Sequence, residues 1–181
     1  MARLDKMEWL LTCEEIRQAV YRYCAAIDRQ EYQWMEQVFH PDATMTVGPY
    51  DGDAAAFFRT LQARVPAVRA SHMIGNILFE PIVDDLVFVE SYGLAVEQVA
   101  DDAGNNIDRV VRLRYCDAFR RRDGVWKVEH RTIVVDHAMA PTPSATEVQF
   151  RGPQGTRDRD DPAMKMRAML AGQPGNEESK S

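Results

Sequence analysis

Four long stretches, residues 71–80, 86–99, 107–121 and 125–136, carry strand patterns and are joined by turns of a few residues. No other feature constrains the fold as much. Strands of this length joined so tightly pair with their neighbours as antiparallel hairpins and build a curved sheet. "RRRDGVW" places Asp123-Gly124 between the last two strands, the dipeptide that favours a two-residue hairpin turn. "VDD" (83–85) and "DDAGNN" (101–106) serve the other two turns.

Helical signals come first. Residues 12–28 place Ile16, Ala19, Val20, Tyr23, Ala26 and Ile27 on one apolar face, and Thr12 with Glu15 forms a capping-box pattern. A shorter helix is expected over 31–39, ending near His40-Pro41 because the residue before proline avoids the helical region. "ATMTVG" (43–48) reads as a strand and "PYDGD" as a turn. Asp51 or Asp53 then caps a third helix, "AAAFFRTLQARV". Three helices before a run of strands give the class α+β.

One domain over residues 1–140 accounts for these signals. The remainder, 141–181, is proline- and glycine-rich apart from Val148 to Phe150 and reads as an arm, and its end has the composition of a disordered tail.

Alternation sorts the polar side chains by face. In 107–121, Val111, Leu113, Tyr115, Asp117 and Phe119 share the apolar face, so Asp117 is buried. A buried carboxylate must be paired, hydrogen-bonded or at work, and structural pairing is the commoner case. The opposite face holds Arg112, Arg114, Cys116 and Arg120. In 125–136, alternation from Trp126 and Val128 carries His130 inward, while a bulge would bring in Arg131 instead. In 86–99, Glu97 ends a face of small and apolar residues, as at a cavity mouth or an exposed strand end. Asp28 closes the first helix, where its charge opposes the helix dipole, so a protonatable neighbour would explain its place.

A net charge of −6 argues against binding a phosphate backbone. Cys13, Cys24 and Cys116 are odd in number and form no CxxC pair, which suits reduced thiols in a cytoplasm. The start, "MARLDKMEWL", is too charged for a signal peptide, and no apolar run reaches membrane-spanning length. The four histidines lack metal-ligand spacing, although His72, Glu97 and His130 could meet in space. "VGPYDGD" lacks the lysine of a phosphate loop. Neither cofactor nor metal is expected.

"YRYCAAIDRQEYQWMEQVFHPDA", "HMIGNILFE", "RRDGVWKV" and "GTRDRDDP" occur in family order. Together they resemble the SnoaL-like branch of the NTF2-like superfamily over roughly residues 10–137. Within it they are most similar to scytalone dehydratase-like lyases and hexachlorocyclohexane dehydrochlorinases. The resemblance implies a cone, three N-terminal helices packed in a highly curved antiparallel sheet around one pocket. It implies that His72 is the general base and that Asp28 orients its ring and stabilises the imidazolium. Such a base titrates near neutrality and contributes roughly 10²–10⁴ in rate.

Tyr23 falls where bile-acid dehydratases carry an acid tyrosine, though helical periodicity equally suits a core aromatic. Ile27 and Val47 stand at the positions of the two phenols that hold water in scytalone dehydratases. Glu97 takes the place of a second histidine, and Arg131 matches the family arginine of the last strand. With Tyr115 and Asp117 these residues are the candidates to face a substrate.

The implied activity is a cofactor-independent elimination on a small aromatic or polycyclic substrate. A steroid-type isomerase or polyketide cyclase would use the same pair. A non-catalytic ligand-binding cone would leave His72 and Asp28 apart, by more than about 4 Å. The arginine-bearing outer face suggests a homodimer or homotrimer.

Overall fold

Trp9 decides where the first helix starts. Its side chain packs on the core, and its N–H donates to the Asp5 carbonyl at 2.9 Å. Helix α1 therefore runs Lys6–Arg29 with Asp5 at its N-cap. Thr12 does not cap it as expected but lies buried within it. The apolar face of α1 is the expected one, Ile16 through Ile27. The helix stops because Gln30 turns left-handed (φ 58°) and the Glu31 N–H returns to the Ala26 carbonyl at 2.9 Å.

The computed structural model describes residues 5–63, 69–100, 104–139, 159–160 and 165. A 3₁₀ turn, Tyr32–Gln37, replaces the helix expected over 31–39, and strand β1 (Phe39–Val47) already includes His40-Pro41. Gly48 (φ 54°) reverses the chain, so "PYDGD" supplies a strand, β2 (Tyr50–Asp53), where a turn was expected. Asp53 is the cap of helix α2 (Ala54–Ala63): its Oδ1 accepts the Ala56 N–H at 2.6 Å. The expected end of this helix, 64–65, lies outside the described residues, as do positions 101–103 of the "DDAGNN" turn and nearly all of the C-terminal arm.

Strands β3 (Arg69–Val83), β4 (Leu86–Ala100), β5 (Asn106–Arg122) and β6 (Val125–Met139) form the antiparallel ladders read from the sequence. Asp123 (φ 51°) and Gly124 (φ 79°) make the β5–β6 turn. The sheet is six-stranded in the order β2-β1-β6-β5-β4-β3. It is not wholly antiparallel: β1 lies parallel to β6. The long connection through α2 and β3 to β5 permits a pairing that no short turn could make.

Helix α1 packs against both β3, at one edge, and β6, three strands further in, so the sheet curves around it without closing. The core fills this hollow with Val87, Val89, Leu113, Tyr115, Phe119, Trp126 and Val128 from the sheet. Among the described residues no helix is long and apolar enough to cross a membrane.

Candidate functional site

Curvature brings the end of α1 onto the inner face of β3. On that strand Ala70, His72 and Ile74 turn inward, and His72 stands opposite Ala95 of β4. Its Nδ1 lies 2.5 Å from Asp28 Oδ1. The His72 backbone N–H donates to Asp28 Oδ2 at 2.9 Å. One carboxylate thus fixes both the strand and the ring, and the His72 side chain is only 9% exposed. An ionised carboxylate only accepts, so Nδ1 carries the hydrogen and Nε2 of the neutral ring keeps a lone pair. The separation of more than about 4 Å expected of a non-catalytic cone is not met, since the two groups are in contact.

Deeper in the hollow, Arg131 and Asp117 are fully buried and face one another across β5 and β6. Nε and Nη2 of Arg131 each donate to one Asp117 oxygen at 2.6 Å. The guanidinium carbon sits 4.0 Å from the Tyr23 ring centre and 4.4 Å from that of Tyr115. Burial opposes the charge, yet the Asp117 carboxylate outweighs it and holds the Arg131 pKa above its ordinary value. Burial pushes the Tyr23 phenol up to about 12 against the opposing Arg131 charge, and raises Tyr115 as well. Both tyrosines are therefore neutral hydrogen-bond donors at physiological pH. Arg131 Nη1 is buried and has no acceptor among the described residues.

The placement of Arg131 corrects the simple alternation that carried His130 inward. Ala118 pairs with His130, but the next residue, Phe119, pairs with Val128. Glu129 is the extra residue of a β-bulge, and it flips the side chains that follow it on β6 until a second irregularity, between Val135 and His137, shifts the register again. His130 consequently lies on the other face, held between the hydroxyls of Thr44 (2.7 Å) and Thr132 (3.0 Å). It does not meet His72 and Glu97. Among the described residues no three His, Cys, Asp or Glu side chains are placed to hold a metal ion.

Asp117 is paired, as the commoner expectation had it. Ile27 is buried beside the dyad, and Val47 lies on the inner face, in register with Ile133 of β6. Glu97, half-buried, extends the inner face one pair beyond His72, opposite Ala70 and Arg109. Arg109 places both its Nε (3.0 Å) and its Nη2 on Glu97 Oε2. Sequence reasoning passed over Arg109, although directly opposed charges on paired strands are a usable signal. It also passed over Ser91, wholly buried, whose Oγ has no hydrogen-bond partner among the described residues. A serine on an apolar face gave no reason to single it out.

A profile of the SnoaL-like domain family matches residues 8–132. Solved structures with the same fold include the hexachlorocyclohexane dehydrochlorinase LinA-type3 of Novosphingobium barchaimii LL02. It is 18% identical with a TM-score of 0.71, over 81% of this chain and 100% of that one. A protein assigned as a scytalone dehydratase from Novosphingobium aromaticivorans is 19% identical, with a TM-score of 0.64 over 79% and 96% of the two chains. A single-residue variant of a Mycobacterium tuberculosis protein of unknown function, Rv3472, is 22% identical with a TM-score of 0.60 and covers 94% of each chain. At these identities the likeness shows the fold. No curated protein sequence matches the chain significantly.

Proposed function

This chain belongs to the SnoaL-like domain family, and on that premise we propose that it is a cofactor-independent lyase in which His72 removes a proton from carbon. The observation that carries the reading is the 2.5 Å contact of His72 Nδ1 with Asp28, which leaves Nε2 as the basic atom. Nε2 takes the proton, and the C–H electron pair becomes a carbon–carbon double bond. The leaving group departs from the neighbouring carbon with its own pair. Asp28 holds the ring and stabilises the imidazolium.

Arg131 supplies fixed positive charge toward the departing group, and the Tyr23 hydroxyl protonates it where it leaves as hydroxide. Because Arg109 crowds both donors onto Oε2, Oε1 of Glu97 keeps its lone pairs for a substrate hydroxyl. Ile27, Val47 and Tyr115 give the site an apolar wall suited to a small aromatic or polycyclic substrate.

The same base would serve an isomerase or cyclase, and product mass separates these from a lyase. The relatives' names choose the first two probes, hexachlorocyclohexane and scytalone; hydroxylated aromatic and steroid compounds follow, each monitored for loss of HCl or water by mass spectrometry. Turnover in the unaltered chain that disappears in His72→Ala supports the reading. Full turnover in His72→Ala ends it.

The reading includes a cytoplasmic setting, which the three unpaired cysteines suit. It also includes a homodimer or homotrimer formed through the outer sheet face. There Met73 and Tyr92 are exposed beside Leu94 and His137, in a groove of about 690 Å³. Arg114 on that face is already neutralised by Glu90 and Asp136, so burying it would leave no unpaired charge. Size-exclusion chromatography with light scattering measures the state, and a monomer at micromolar concentration would refute the assembly.

A further inference from the structure

The helical spacing of α2 gives it two working faces. Phe57 and Leu61 pack toward the core, while Ala55, Arg59 and Gln62 look into a separate cleft of about 740 Å³ between α2, the 3₁₀ turn and the start of β1. Neither His72 nor Asp28 lines it. Its floor is Met35, Phe39 and Phe58, the two phenyl rings being tilted together at 5.1 Å. Both rings also meet Tyr23, so they form the wall between this cleft and the buried Arg131. His40 is fixed in the same wall, its Nε2–H donating to the Arg120 carbonyl at 2.9 Å.

The rim is cationic on a chain whose net charge is −6. Lys127 and Arg59 face a single lining carboxylate, Glu36. The Lys127 ammonium is tethered by one hydrogen bond to the Glu36 backbone carbonyl at 2.7 Å, which leaves two of its N–H groups to donate. Arg59 is well exposed, and its ion-pair contact with Asp53 is loose at 3.8 Å. The Asp53 oxygen concerned, Oδ1, already accepts the helix-capping bond.

An aromatic floor beneath two cations selects a flat ring that carries one negative charge, and the volume is that of a small-molecule site. We propose that this cleft is a second ligand site, distinct from the His72 centre, for a planar arene monocarboxylate. The ring lies on Phe39 and Phe58, and the carboxylate meets Arg59 and Lys127. The proposal does not depend on the lyase reading.

Isothermal titration with 2-naphthoate tests it, with 2-naphthalenemethanol as the uncharged counterpart. The unaltered chain should bind one 2-naphthoate saturably, and the alcohol roughly tenfold or more weakly. Arg59→Gln with Lys127→Gln should weaken 2-naphthoate by a similar factor. Ala55→Trp, which places an indole in the cleft from an exposed position, should also weaken it, and His72→Ala should leave it unchanged. Thermal melts establish that each variant is folded, and should the double variant fail that test, Ala55→Trp decides alone. No saturable heat at millimolar ligand, binding indifferent to the cleft substitutions, or binding lost in His72→Ala would each overturn the proposal.

Discussion

Asp28 grips His72 twice: Oδ1 meets the ring Nδ1 at 2.5 Å and Oδ2 accepts the backbone N–H of the same residue at 2.9 Å. Asp28→Asn keeps the shape and removes the charge, and its amide nitrogen cannot accept either hydrogen. In the orientation that still serves the backbone N–H, the amide donates toward Nδ1 and reverses the tautomer. Nitrogen NMR of the ring should then show hydrogen on Nδ1 in the unaltered chain and on Nε2 in Asp28→Asn. Elimination by Asp28→Asn should fall by roughly 10²–10⁴, with far-UV circular dichroism unchanged. An unaltered tautomer in the variant would refute this account of the dyad.

The Asp117–Arg131 pair is wholly dry, so breaking it leaves a buried charge without its partner. Asp117→Ala or Arg131→Met alone should cost about 3–5 kcal/mol, read from urea unfolding. The double substitution Asp117→Leu with Arg131→Met should be less damaging than either single change, since no charge is then stranded. Equal or additive losses would mean that the site tolerates an isolated ion.

Burial holds the Tyr23 proton to about pH 12, above the ordinary phenol value near 10. A raised folded pKa gives stability that is complete below the unfolded value and is lost as pH climbs through the folded one. The protein should therefore weaken between about pH 10 and 12, by on the order of 2–3 kcal/mol from this group. Tyr115, raised by burial as well, adds to the loss in the same direction. Phenolate absorbance near 295 nm should include a delayed step that coincides with alkaline unfolding and shrinks in Tyr23→Phe.

The inward faces of β4 and β5 were legible because period-2 burial is a local property: Val87, Val89, Tyr115, Asp117 and Phe119 all lie where alternation puts them. The hairpins were legible because turn chemistry is local too. The parallel union of β1 with β6 was not, because it joins segments far apart in the chain and nothing in either records its neighbour. Thr12 misled because a capping pattern describes four residues, while the true start of α1 was decided by Trp9 reaching the core. At the site, a histidine opening a strand and an aspartate ending a helix were visible as oddities. Only the resemblance joined them, since their meeting depends on how far the sheet curves.

The bulge at Glu129 is the least legible feature and has the largest consequence, because one extra residue decides whether His130 or Arg131 enters the core. The Glu129 side chain itself pairs with Arg120 and Arg122 in a half-buried outer network. Glu129→Ala removes those ion pairs and keeps the extra residue, so it should cost only about 1 kcal/mol or less. Inserting one alanine between His130 and Arg131 shifts the strand by one residue, sends Arg131 to the outer face and strands Asp117 in the core, a loss of about 3–5 kcal/mol. Urea unfolding of the two variants side by side separates the effects. If the insertion were no worse than the alanine substitution, backbone register would not be what brings Arg131 to Asp117.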